Sequence, residues 1–196
     1  LKGALGRLEE RDIIDIIKFI DKKKLTSSTV GDLPNNEALI SHNVNEISAT
    51  EVDFIKIGVY DNFYINTLCK IKSSKKLIAV FFADVFLPTE SEIKTLKESG
   101  FSGVMVDTSN KKLGNLFAHT SSLEISNFLE IAKKLDLLTG VAGSINETHI
   151  AEIVKLNPNY MGFRGALCID KTVRNSEISK ISVNNIINLV NKLKRN

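Results

Sequence analysis

The apolar positions along this chain switch repeatedly between two periods. From Leu8 to Lys22 they fall at Leu8, Ile13, Ile14, Ile16, Ile17 and Ile20 with charges opposite, the spacing of an amphipathic helix. Leu25 to Val30 then reads as a short strand, ending in the turn signal Gly31-Asp32-Leu33-Pro34. Glu37 to Ser48 predicts a weaker helix, and residues 53–59 a buried strand with Phe54, Ile55, Ile57 and Val59 apolar. Tyr64 to Ser73 reads as helix. Leu77 to Phe82 is an unbroken apolar run, as expected of a parallel strand covered on both faces. Thr89 to Ser99 is a helix with capping-box spacing at Thr89 and Glu92 and a stop at Gly100. Gly103 to Thr108 is the next strand, followed by a long loop and a helix over 122–135. A short strand at 139–144, a helix at 147–156, a strand at 160–165 and a closing helix at 182–194 complete the pattern.

Strand and helix therefore alternate six times without a hairpin signal, which predicts a parallel α/β sheet. Such a sheet is either open and doubly wound or closed as a (β/α)8 TIM barrel. No GxGxxG follows any strand, which argues against a dinucleotide-binding open sheet. The chain opens at Leu1 without an initiator Met, inside a Gly- and Ala-containing loop. The expectation is a single barrel domain over residues 1–196, with the first strand, first helix and second strand lying before Leu1.

Composition changes this picture little. A chain of 196 residues, 43% hydrophobic and 25% charged, is ordinary for a folded domain with a sizeable core. The net charge of +3 and the lack of a basic run with interleaved aromatics give no reason to expect nucleic acid. No apolar stretch reaches the ~18 residues of a membrane span, and no signal peptide is visible. Cys69 and Cys168 have neither metal-ligand nor redox spacing, so the expected setting is the reducing cytoplasm. His42, His119 and His149 also lack ligand spacing and read as surface or structural; no metal and no cofactor is expected. A homo-oligomer is compatible with the sequence.

The candidate chemistry lies at the strand ends. In a barrel the site is built at the C-terminal ends of the strands, and here those ends carry Asp32, Lys56, Asp84, Asp107, Ser144 and Arg164. Lys56 interrupts an apolar strand. A buried ammonium is costly, so such a lysine lowers its pKa or finds an anion, and it is a candidate amine base or imine-forming group. Gly58 beside it lets backbone or ligand come close. Asp107 is followed four residues on by Lys111, a pair suited to relaying protons. The loops containing Gly143-Ser144 and Arg164-Gly165 occupy the usual phosphate cradle of the fold, where glycine backbone N–H groups and an arginine meet an anion. With Asp32 and Asp84 these are the candidate substrate contacts, and the expected partner is a small phosphorylated substrate.

At these residues the chain resembles the (5-formylfuran-3-yl)methyl phosphate synthase family, also called 4-(hydroxymethyl)-2-furancarboxaldehyde-phosphate synthase, of methanofuran biosynthesis. The resemblance rests on Gly3-Ala-Leu-Gly6, Ser28 to Pro34, Asp53 to Tyr60, Ala83-Asp84, Val104 to Thr108 with Lys111, Ala142 to Ile145, and Arg164 to Cys168 with Arg174. These pieces run in order over nearly the whole chain. The resemblance implies a (β/α)8 barrel that condenses two glyceraldehyde 3-phosphate molecules by class I aldolase-like lysine chemistry, without metal. It also implies that Lys56 is the proton-accepting lysine, that Asp107 and Lys111 are the family's acid and lysine, and that an imine-forming lysine lies just before the Gly3 loop. Another phosphosugar-binding barrel lyase or isomerase, and a non-catalytic sugar-phosphate binding homologue, are the alternative readings.

Overall fold

The structure, a computed structural model, describes residues 5–171, 173 and 176–194. Gly3, Ala4 and Arg174 of the resemblance lie outside the described residues.

Among the described residues, seven α-helices alternate with six strands. The helices are α1 (Glu10–Ile20), α2 (Glu37–Ser48), α3 (Phe63–Leu68), α4 (Glu90–Glu98), α5 (Ser122–Lys134), α6 (Ile150–Leu156) and α7 (Lys180–Lys194). The strands are β1 (Ser27–Thr29), β2 (Phe54–Val59), β3 (Lys76–Phe82), β4 (Gly103–Asp107), β5 (Leu138–Val141) and β6 (Tyr160–Met161). They form one parallel sheet in chain order, β1-β2-β3-β4-β5-β6. Local signals account for several helix starts. Thr89 and Ser121 each close a full capping box, with Glu92 and Glu124 as the returning carboxylates.

The sheet does not close. A barrel needs its first and last strands to pair, with eight strands whose tilt and stagger agree. Here β1 pairs only with β2 and β6 only with β5, so the described residues form an open six-stranded half-barrel. The expected closed (β/α)8 TIM barrel is therefore corrected to an open parallel α/β sheet. Strand number and direction follow from the hydrophobic pattern. Closure depends on how the two edges meet, and nothing in the strand pattern encodes that.

Side chains alternate across the sheet, and register partners in a parallel sheet share a face. Ile55, Ile57, Val59, Ala79, Phe81 and Val106 point to the helix side, all at most 1% exposed. There they meet Ile40, Val44, Ile93, Leu96, Ile125 and Leu129. Phe81 of β3 lies edge-on to Phe128 of α5, with centroids 6.0 Å apart. The other face carries Lys56, Gly58 and Tyr60 from β2 and the residue after it, Ile78, Val80 and Phe82 from β3, and Met105 and Asp107 from β4. Gly140 and Tyr160 pair on that face at β5 and β6. This second face is concave. On a flat sheet β2 and β6 would stand about 19 Å apart, four strand spacings. Yet Lys56 Nζ lies 5.3 Å from the centroid of the Tyr160 ring.

Candidate active site

Lys56 is the third residue of β2, not its last, and its stem runs along the concave face. The side chain is half-buried. Burial drives its pKa below the ordinary lysine value, and the nearby Asp107 carboxylate pulls it partly back up. At the end of β4, Asp107 accepts from its neighbour's backbone, Thr108 N, at 2.7 Å, and pairs with the Lys111 ammonium. The Lys111 Nζ also donates to the Thr108 carbonyl oxygen and, at 3.1 Å, to Thr108 Oγ1. Asp107 and Lys111 keep 15% and 19% of their side-chain surface exposed, so this is a largely desolvated pair. The spacing of four residues works because the chain turns back over the strand end at Thr108, which is fully buried. Lys56, Asp107 and Lys111 thus lie together on the concave face.

Two tyrosines complete the concave face, and neither is singled out by the sequence. Tyr160 lies across from Lys56, with burial first and the Asp107 charge second raising its pKa well above that of a free phenol. Its hydroxyl is buried and has no hydrogen-bond partner among the described residues. Tyr60 stacks on Phe82 at 4.9 Å and donates to Asp32 Oδ1. Burial raises its pKa too, reinforced by the Asp32 bond. Glycines two or twenty positions away make room for both rings. A Cβ at Gly58 would lie 2.9 Å from the Tyr60 hydroxyl, and a Cβ at Gly140 would lie 2.3 Å from Tyr160 Cζ. The space expected beside Gly58 for backbone or ligand is filled by the chain's own Tyr60. A glycine in a strand interior was the available signal, but it marks a close approach without naming what approaches.

The remaining candidate residues divide by their partners. Asp32 accepts from Leu5 N at 2.9 Å as well as from Tyr60, so its carboxylate ties the chain before α1 to the end of β2. Asp84 accepts from Ser109 N at 2.6 Å, Ser109 Oγ at 2.7 Å and Asn110 N at 2.8 Å. Burial works against its ionisation, but these donors together hold its carboxyl below the ordinary value. Asp84 therefore organises the loop that carries Lys111. Gly143 and Ser144 follow β5 with φ of 111° and 50°, left-handed backbone at two successive residues. A Cβ at Gly143 would come within 3.1 Å of Thr108 Cγ2, so the loop packs directly against the end of β4. Arg164 and Gly165 follow the neighbouring strand. The exposed Arg164 guanidinium donates to Cys168 Sγ at 2.8 Å, which uses one of its five N–H groups.

Among the described residues, no group of three His, Cys, Asp or Glu side chains is placed to hold a metal, and no helix is long and apolar enough to cross a membrane. His149 stacks on Phe117 at 5.5 Å and accepts from Asn146 N, a structural setting. A separate cleft lined by Lys22, Lys24, Thr26, Asp53 and Lys75 opens at the opposite, N-terminal ends of β1 and β2 and does not reach Lys56.

The chemistry available on the concave face is that of an amine with a depressed pKa, a carboxylate–ammonium pair and a neutral phenol. Residues 1–187 match the family model described as 4-HFC-P synthase. A relative from Methanococcus aeolicus named (5-formylfuran-3-yl)methyl phosphate synthase is 26% identical over 203 residues, covering 96% of this chain and 86% of the relative. A protein of Methylorubrum extorquens given that name provisionally is 31% identical over 169 residues, covering 85% of this chain and 70% of the relative. Among solved structures, one described as "Native KDPGal structure" superposes with a TM-score of 0.60 at 13% identity, covering 95% of this chain and 76% of the other. A tetrameric deoxyribose phosphate aldolase from Aeropyrum pernix gives 0.53 at 14% identity, covering 95% and 82%. At such identities the structural likeness shows a shared, aldolase-like fold and nothing about activity.

Proposed function

The chain belongs to the 4-HFC-P synthase family, and on that premise we propose that it condenses two molecules of glyceraldehyde 3-phosphate into a furan aldehyde phosphate, with Lys56 as the base. The observation that carries this reading is Lys56 itself. Its amine is half-buried, depressed in pKa by desolvation, and faces both a carboxylate–ammonium pair and a buried phenol. A base must be neutral to accept a proton near neutral pH, and burial moves Lys56 in that direction.

The reaction balances as two triose phosphates minus one phosphate and two waters. In the reading carried by the resemblance, one triose phosphate is held as a lysine imine, which acidifies the neighbouring C–H bond. The Lys56 amine takes that proton, and the C–H electron pair forms an enamine. The enamine carbon bonds to the aldehyde carbon of the second molecule. Loss of the waters and the phosphate leaves the aromatic ring, whose formation pulls the sequence forward. The Asp107–Lys111 pair supplies and collects protons in the dehydrations. Gly143, Ser144, Arg164 and Gly165 bind phosphate at the ends of β5 and β6. Asp32 and Asp84 support the site through Tyr60 and through the Lys111 loop.

Replacing Lys56→Ala tests this. With glyceraldehyde 3-phosphate as substrate and the furan aldehyde followed by mass spectrometry, turnover should fall by ~10²-fold or more. Turnover within about threefold of the wild type would remove Lys56 from the mechanism.

A further inference from the structure

The Tyr160 ring packs against the core, but its hydroxyl has no role in the mechanism above. Its ring comes from β6 and reaches across the concave face to within 5.3 Å of Lys56 Nζ. Its hydroxyl is buried, and no described residue pairs with it. A buried hydroxyl without a partner is costly, so such a group calls for a bound water or ion, or for a catalytic role in which the substrate completes the bond. The position is also built for this ring. A Cβ at Gly140 would overlap Tyr160 Cζ at 2.3 Å, so glycine at 140 is what admits the tyrosine.

We propose that the Tyr160 phenol is a catalytic hydrogen-bond donor to a carbonyl or alkoxide oxygen of the bound aldehyde substrate, acting opposite the Lys56 amine. The proposal rests on the condensation reading above and extends it to a residue outside the Lys56, Asp107 and Lys111 set. As the new carbon–carbon bond forms, the carbonyl π pair moves onto the aldehyde oxygen. An O–H aimed at that oxygen stabilises the developing charge, in the manner of an oxyanion-hole donor. Tyr160 keeps its own proton throughout. Burial and the Asp107 charge both hold it in the protonated, donating form, so it is unsuited to act as a base. The nearby acceptor, Asp107, takes its bonds from Lys111 and Thr108 N on Oδ1, and the Tyr160 hydroxyl is not bonded to it.

The test is Tyr160→Phe in the full chain, with Lys56→Ala beside it. Phenylalanine keeps the ring against Gly140 and Lys56 and removes only the donor. With glyceraldehyde 3-phosphate, kcat should fall ~10²-fold while KM stays within about threefold, and the Tm of the ligand-free protein should be unchanged or higher. A kcat within about threefold of wild type overturns the proposal. So does a fall in kcat accompanied by a drop of several degrees in Tm, because that marks a structural hydroxyl. Failure of the condensation reading looks different, since the wild type itself then makes no furan product. In that case the thermal shift produced by glyceraldehyde 3-phosphate decides the matter. A smaller shift in Tyr160→Phe than in wild type sustains the donor role, and equal shifts overturn it.

Discussion

At the scale of single residues, the concave face is organised around the charge on Asp107. That carboxylate raises the pKa of Lys56 against the effect of burial and raises the pKa of Tyr160 along with it. Asp107→Asn removes the charge and keeps the shape. The Lys56 pKa should then fall further, because only desolvation remains. In the proposed mechanism activity rises with pH as Lys56 loses its proton, so this limb of the kcat/KM profile should move to lower pH in the variant. Maximal turnover should also drop by about tenfold, since Lys111 loses its partner. A limb that stays in place, or moves to higher pH, would show that Asp107 does not set the charge state of Lys56. Lys56 and Asp107 were legible because each is a charged residue in or ending an apolar run. Tyr160 was not legible. It sits in a strand of two residues, and its partners, Gly140 and Lys56, lie twenty and 104 positions earlier.

At the scale of elements, the strand order and most helix boundaries follow from periodicity and caps, as the Thr89–Glu92 box at the start of α4 shows. The third helix is shorter than its pattern predicts. It ends at Leu68 instead of Ser73, because the amides of Lys70 and Ile71 tighten to i−3 carbonyls. Ser73 instead bonds Ser48 of α2 and accepts from the backbone of Lys75. Such choices among local hydrogen bonds leave no trace in hydrophobic spacing. The β4–α5 loop is held in the same way, by Asp84. Because Asp84 titrates below the ordinary carboxylate value in the folded protein, its contribution is present above the unfolded pKa and is lost as pH falls through the lowered one. Asp84→Asn should lower stability by about 1 kcal/mol near neutral pH, a modest figure because the site is partly open to solvent. That corresponds to a Tm drop of about 2–4 °C. Thermal melts at pH 7 and pH 3 should show the gap between variant and wild type shrinking in acid. A gap of equal size at both pH values would mean that the loop does not depend on the ionised form.

At the scale of the whole molecule, the half-barrel has an uneven interior. One apolar cluster runs along the sheet and into α1–α6, while Ile150, Ala166 and Ile186 form a small separate cluster between α6, the turn after β6 and α7. Of the fifteen residues of α7, only Ile186 is buried. The sequence shows an apolar stripe on this helix; Ile186, Val190 and Leu193 of it pack into the small cluster, while Ile187 is half exposed. A helix held by a small cluster separate from the sheet's core should open without unfolding the sheet. Ile186→Ala removes the one fully engaged side chain and should cost about 2 kcal/mol in the closing of α7. Native-state hydrogen exchange would then show α7 amides exchanging about 30-fold faster, with β3 amides, at the centre of the sheet, unchanged. Equal acceleration in α7 and β3 would instead make the helix and the sheet a single cooperative unit.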